Sequence, residues 1–101
     1  MTVRKIAKSL EELPSPEELM SIPGLDMIRS MIAGTRAGPP IGDTLGFWPV
    51  AADEGRVMFE GAPEFSAPNP LRTVHGGWYG AILDSCMGCA VHTTLPRGAG
   101  Y

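Results

Sequence analysis

Few features of this 101-residue sequence point outward to a membrane, a nucleic acid or an oxidising compartment. No apolar run approaches the roughly 18 residues that would cross a bilayer. The stretch from Met1 to Leu10 has basic residues but no apolar core behind them, so a secretory leader is not expected. Eight Lys and Arg are scattered against eleven Asp and Glu, giving a net charge of −3. No basic stripe invites nucleic acid. Cys86 and Cys89 are the only cysteines. Two thiols that close cannot staple a secreted fold, so the expected setting is a reducing cytoplasm. No internal repeat is visible. What remains is 44% hydrophobic, enough for one small domain and too short for two.

Punctuation by Gly and Pro divides the chain. Residues 1–14 read as a polar lead-in. Ser15-Pro16-Glu17-Glu18 reads as a helix start, with Ser15 as cap, Pro16 at the first helical position and Glu18 reaching back to close a capping box. Pro23-Gly24 interrupts it. Leu25, Ile28 and Ile32 predict a second helix from about Leu25 to Ala33, ended by Gly34. Residues 34–43 are rich in Gly and Pro and read as loop. Leu45, Phe47, Pro49 and Ala51 alternate, Asp53-Glu54-Gly55 turns, and Val57 and Phe59 return, which predicts a hairpin. Pro49 inside the first strand predicts an edge or a bulge. Residues 61–72 read as loop again.

The segment from His75 to Leu95 is free of proline and predicts the longest helix. Trp78, Ile82, Leu83, Cys86, Cys89, Ala90 and Val91 occupy more than one of its faces, the pattern of a helix buried nearly all round. Asp84 is the only formal charge between Arg72 and Arg97. A carboxylate among apolar residues must be paired, neutralised or at work, so Asp84 is a candidate base or nucleophile. The bland alternative is a wet helix edge.

His75-Gly76-Gly77 stands where this helix begins. The first N–H groups of a helix lack intrahelical partners and carry partial positive charge. Glycine lets a ligand approach such backbone closely, so an oxyanion hole is one reading and an ordinary Gly-rich helix entry the other. Nine residues separate His75 from Asp84, about 13 Å along a helix axis. Both cannot reach one reacting carbon within a single chain. Either they serve different ends of a substrate, or an antiparallel second copy brings its Asp84 to the first copy's His75.

The pattern Asn69-x5-His75-Gly76-Gly77-x6-Asp84, with Leu83 before the Asp and Gly88 after it, resembles the PaaI-type branch of the hotdog-fold acyl-CoA thioesterases. Ile41-Gly42-Asp43-Thr44-Leu45-Gly46 leading into a hairpin is similar to the opening of that family's domain. The resemblance covers roughly residues 40–101. It implies an α+β hotdog fold, an antiparallel sheet wrapped around a long central helix, with residues 1–40 as a helical extension and loop and 41–101 as the N-terminal part of the thioesterase domain. It implies hydrolysis of an acyl-CoA thioester to free coenzyme A and a carboxylic acid. The N–H of Gly76 would polarise the carbonyl, and Asp84 of the partner subunit would act as nucleophile or general base. Asn69 and His75 would orient the thioester. A homodimer or homotetramer follows, with no metal and no cofactor beyond the coenzyme A of the substrate. Family members carry several further strands after this helix, so the expectation is an incomplete sheet, a fragment of a longer reading frame whose activity belongs to the parent domain.

Other readings compete. Cys86-Met87-Gly88-Cys89 has redox spacing but lies in mid-helix, where thiols are core residues rather than dipole-activated nucleophiles. Zinc on Cys86, Cys89 and His92 lacks a fourth ligand. His92 suits a helix C-terminus without further purpose. Trp48 reads as core or dimer-interface packing, with an acyl pocket as the alternative, whereas Trp78 and Tyr79, directly after Gly77, read equally as lining of the substrate site or as packing. Glu11, Glu12, Glu17 and Glu18 read as a solvated face. A non-catalytic module that binds acyl-CoA, or that borrows strands from a protein partner, is the second function class. An enoyl-CoA hydratase of the same superfamily fits less well, because such enzymes use a different Asp and His pairing.

Overall fold

The computed structural model describes residues 4–101. A 3-10 turn at Leu10–Glu12 is followed by α1 (Pro16–Leu19), α2 (Gly24–Ala33), α3 (Pro40–Leu45), β1 (Phe47–Asp53), β2 (Arg56–Gly61) and α4 (Gly76–His92). The class among the described residues is α+β, with four α-helices and one two-stranded antiparallel sheet.

Local chemistry accounts for the element ends. Ser15 Oγ accepts from the Glu18 N–H at 3.1 Å, capping α1. The reciprocal half of the expected box is absent, because the Glu18 carboxylate instead accepts from Arg36 Nε at 3.1 Å. Helix α2 ends on Gly34 in the left-handed conformation, φ 82°. Residues 34–43 correct the loop expectation in part. Pro40 occupies the first helical position of α3, where its missing N–H costs nothing.

The hairpin pairs Phe47 with Gly61, Pro49 with Phe59, Ala51 with Met58 and Asp53 with Arg56. Its register shifts between Pro49 and Ala51, leaving Val50 as the extra residue of a bulge. Gly55 takes φ 77° at the turn, and its N–H donates to Thr93 Oγ1 at 2.8 Å. The turn is thereby clipped to the C-terminal end of α4.

One core forms where β1 and β2 lie on α4. Phe47, Ala67 and Trp78 are buried there, flanked by Leu45, Phe59, Val74, Ala81 and Ile82. Phe47 meets Phe59 and Trp78 edge-on, with ring centroids 6.2 and 6.3 Å apart. Met27 and Ile28 of α2 form a second buried patch. Helix α2 is tied to the rest by the Gly24 N–H, which donates to the Leu95 carbonyl at 2.9 Å, and by Arg29, whose Nε donates to the Ala52 carbonyl at 3.1 Å.

Helix α4 corrects the expectation of all-round burial. Within it only Trp78 is buried. Tyr79, Leu83, Met87 and Val91 are 53, 58, 63 and 47% exposed. Two strands and α2 cover only part of its circumference. The helix also stops at His92, with Thr93 as C-cap, rather than reaching Leu95.

Candidate functional site

The approach to α4 is a closed loop. The His75 N–H donates to the Ala67 carbonyl at 2.9 Å, closing its neck. Asn69 holds its tip: Oδ1 accepts from the Leu71 N–H (2.9 Å), the Thr73 N–H (3.3 Å) and the Thr73 hydroxyl (3.1 Å). Arg72, at φ 66°, is the one non-glycine residue with positive φ among the described residues. Asn69 therefore shapes the loop that delivers His75, and only its amide nitrogen remains for a ligand.

His75 is the N-cap of α4. Its Nδ1 accepts from the Gly77 N–H at 2.7 Å. With Nδ1 an acceptor, the neutral ring carries its proton on Nε2, facing away from the backbone. The Trp78 N–H donates to the His75 carbonyl at 3.0 Å. These two bonds leave the Gly76 N–H as the free donor of the first turn. Space is open there, since a Cβ added at Gly76 meets nothing within 4 Å. The helix N-terminus thus offers one unpartnered, unshielded N–H.

The two aromatic residues after the glycines part company. Trp78 lies in the core, donating from Nε1 to the Leu45 carbonyl at 2.6 Å. Its role in this arrangement is packing, not the lining of an open site. Tyr79 is exposed, its ring 5.5 Å from that of Trp78.

Asp84 corrects the expectation of a buried carboxylate, because it is exposed. Gly76, Gly80 and Asp84 follow one another at four-residue intervals, and Tyr79, Leu83, Met87 and Val91 form the adjacent row of the same spacing. All seven residues are exposed. The free N–H and the carboxylate therefore share the uncovered face of α4, eight residues and about 12 Å apart.

The inner side of Asp84 borders a cavity of about 250 Å³ between α2, β1 and α4. Ile28, Met31, Phe47, Trp48 and Phe59 are among its walls. No signal in the sequence marked this cavity, because its walls come from segments far apart in the chain. Trp48, read as core, is half-buried on its lining, and the Arg4 guanidinium lies 3.5 Å from its ring centroid.

The remaining candidates are held in quiet roles. The Cys86 thiol donates to the Val57 carbonyl at 3.2 Å. Burial, with the neighbouring Cys86 adding, pushes the Cys89 thiol up to about 11. Its neutral form is favoured, the opposite of an activated nucleophile. Among the described residues no three His, Cys, Asp or Glu side chains converge as a metal site would require. The Tyr101 hydroxyl donates to the Gly88 carbonyl at 2.8 Å. Burial of part of its ring raises the phenol above its usual range, with Cys89 and Asp84 adding.

No family model, no curated protein and no solved structure matches this chain. No described helix is long and apolar enough to cross a membrane.

Proposed function

We propose that the chain carries the catalytic elements of a hotdog-type acyl-CoA thioesterase, acting as a two-fold dimer. The observation that carries this reading is the free Gly76 N–H, open to approach, on the same uncovered helix face as Asp84. Within one chain the two are too far apart to act on one carbon. Two α4 helices packed antiparallel, with axes about 8–10 Å apart, place each Gly76 against Asp84 of the partner subunit. Tyr79 and Leu83, the members of the apolar row nearest that two-fold, supply the helix–helix contact.

The chemistry then follows from the donors and acceptors. The thioester carbonyl oxygen accepts from the Gly76 N–H, which stabilises the negative charge that develops there. Asp84 of the partner subunit takes a proton from water as the water oxygen bonds to the carbonyl carbon. The carbon–sulfur bond breaks, the coenzyme A sulfur leaves and is protonated, and a carboxylic acid remains. Direct attack by the carboxylate gives a mixed anhydride that water then opens, with the same products. In this reading His75 Nε2–H and the Asn69 amide orient the thioester.

The decisive assay is free-thiol release from a panel of acyl-CoA esters by the chain and its Asp84→Asn variant. Release that disappears in the variant supports hydrolysis. A second reading is favoured by the uncovered apolar face, which also suits a non-catalytic interaction module. Under that reading no thiol is released and Asp84→Asn leaves self-association and partner binding unchanged.

A further inference from the structure

The cavity beside Asp84 has a wall that the hydrolytic machinery does not account for. Residues 4–6 form it, and they belong to the N-terminal extension. Main-chain bonds fix them in place: the Gly38 N–H donates to the Lys5 carbonyl at 2.8 Å and the Ala7 N–H to the Gly38 carbonyl at 3.0 Å. Arg4 is occupied by the ring of Trp48 at 3.5 Å. These residues are a built wall, pinned on both sides.

The cavity's chemistry is that of a small apolar ligand site. Ile6, Ile28, Met31, Phe47 and Phe59 present hydrocarbon, and Asp84 stands at the mouth because it is both on the lining and exposed. A cavity of about 150 Å³ holds a benzene of six carbons. By the same ratio, about 250 Å³ holds roughly ten carbon-sized atoms.

We propose that this cavity seats the acyl chain, and that Ile6 and Met31 set its length at about ten carbon-sized atoms. Medium-chain and aryl-substituted acyl groups fit, and long-chain fatty acyl groups do not. This rests on the reading of Asp84 as the hydrolytic carboxylate, since that reading makes the cavity's mouth the place of reaction.

Binding tests it without turnover. Primary alcohols from butanol to dodecanol, titrated into the full chain by calorimetry, are suitable probes, because a neutral head avoids repulsion by Asp84. Affinity is expected to rise about four-fold per methylene, and to stop rising near decanol. Ile6→Trp is expected to move the break to shorter alcohols and Met31→Ala to longer ones. Absence of octanol binding, a rise that continues unbroken through dodecanol, or a break that neither substitution moves would overturn the proposal. Alcohol binding with the expected break, in a chain that hydrolyses no acyl-CoA ester, upholds the cavity's ligand class and overturns the thioesterase reading alone.

Discussion

The Nδ1 atom of His75 accepts a hydrogen bond from the Gly77 N–H at 2.7 Å, so one imidazole both starts the central helix and frees the N–H of Gly76. Loss of a cap typically costs about 1 kcal/mol. His75→Ala is expected to lower stability by about that amount in urea unfolding, whereas His75→Asn, which restores a cap acceptor, stays within a few tenths of wild type. Thiol release is expected to fall further in the alanine variant than in the asparagine one.

Gly76 separates fold from function. A methyl group there meets open space and the φ angle is unexceptional, so Gly76→Ala is expected to leave the urea midpoint unchanged or slightly raised. Gly76→Pro, at a first helical position that tolerates proline, removes the free N–H outright. Thiol release is expected to drop by about 10²-fold or more, the usual loss for one oxyanion donor. A variant with full stability and full activity would remove Gly76 from the mechanism.

The uncovered row of α4 makes its own prediction. Leu83 is 58% exposed, so Leu83→Glu leaves the packing of a single chain intact. A charge in the middle of a dimer contact is costly unless paired. Sedimentation is expected to show a dimer for wild type and a monomer for the variant, with far-UV circular dichroism unchanged. Two species of equal mass would argue against a contact through this face.

Gly24 predicts a fold defect. A Cβ at this position runs into the main-chain carbonyl of His92, where α2 crosses the end of α4. Backbone cannot give way as a side chain can. Gly24→Ala is therefore expected to destabilise by about 1–3 kcal/mol. The expected measurement is a lower denaturant midpoint with little change in slope.

Cys89 carries a pH signature. Its thiol is held up at about 11 rather than 9.0 by burial. The folded state keeps a proton that the unfolded state gives up, so this contribution to stability is full below about pH 9 and is lost as pH rises toward about 11. In a Cys86→Ser background, alkylation of Cys89 near neutral pH is expected to be up to about a hundred-fold slower than that of a free cysteine.

Much of this arrangement was legible in the residues. Ser15, Gly34 and Gly55 marked ends and turns because each does one job that few residues can do. Pro49 announced the bulge beside it. Asn69, His75, Gly76 and Asp84 stood out as a pattern, and the distance between His75 and Asp84 required either two ends of a substrate or a second chain. Burial was the part that misled. Apolar residues on all sides of α4 predicted cover on all sides, yet composition reports only what a face prefers, and the hairpin is too narrow to supply it. Helix α3 was hidden by the Gly and Pro around it, because Pro40 at a first helical turn resembles a breaker. The cavity wall at residues 4–6 depends on the Lys5–Gly38 pairing, a long-range contact with no local signature.

The bulge at Val50 has a consequence for how this sheet can grow. Both strands of a two-stranded ribbon expose a row of unpaired N–H and C=O groups. On β1 that row is interrupted by a proline and twisted by the bulge. The β2 row from Arg56 to Gly61 has neither interruption. Any strand that joins this ribbon, from another copy or from another protein, meets a proline and a bulge on β1 but on β2 only the Cys86 thiol at the Val57 carbonyl, and extension is directed to the side of β2.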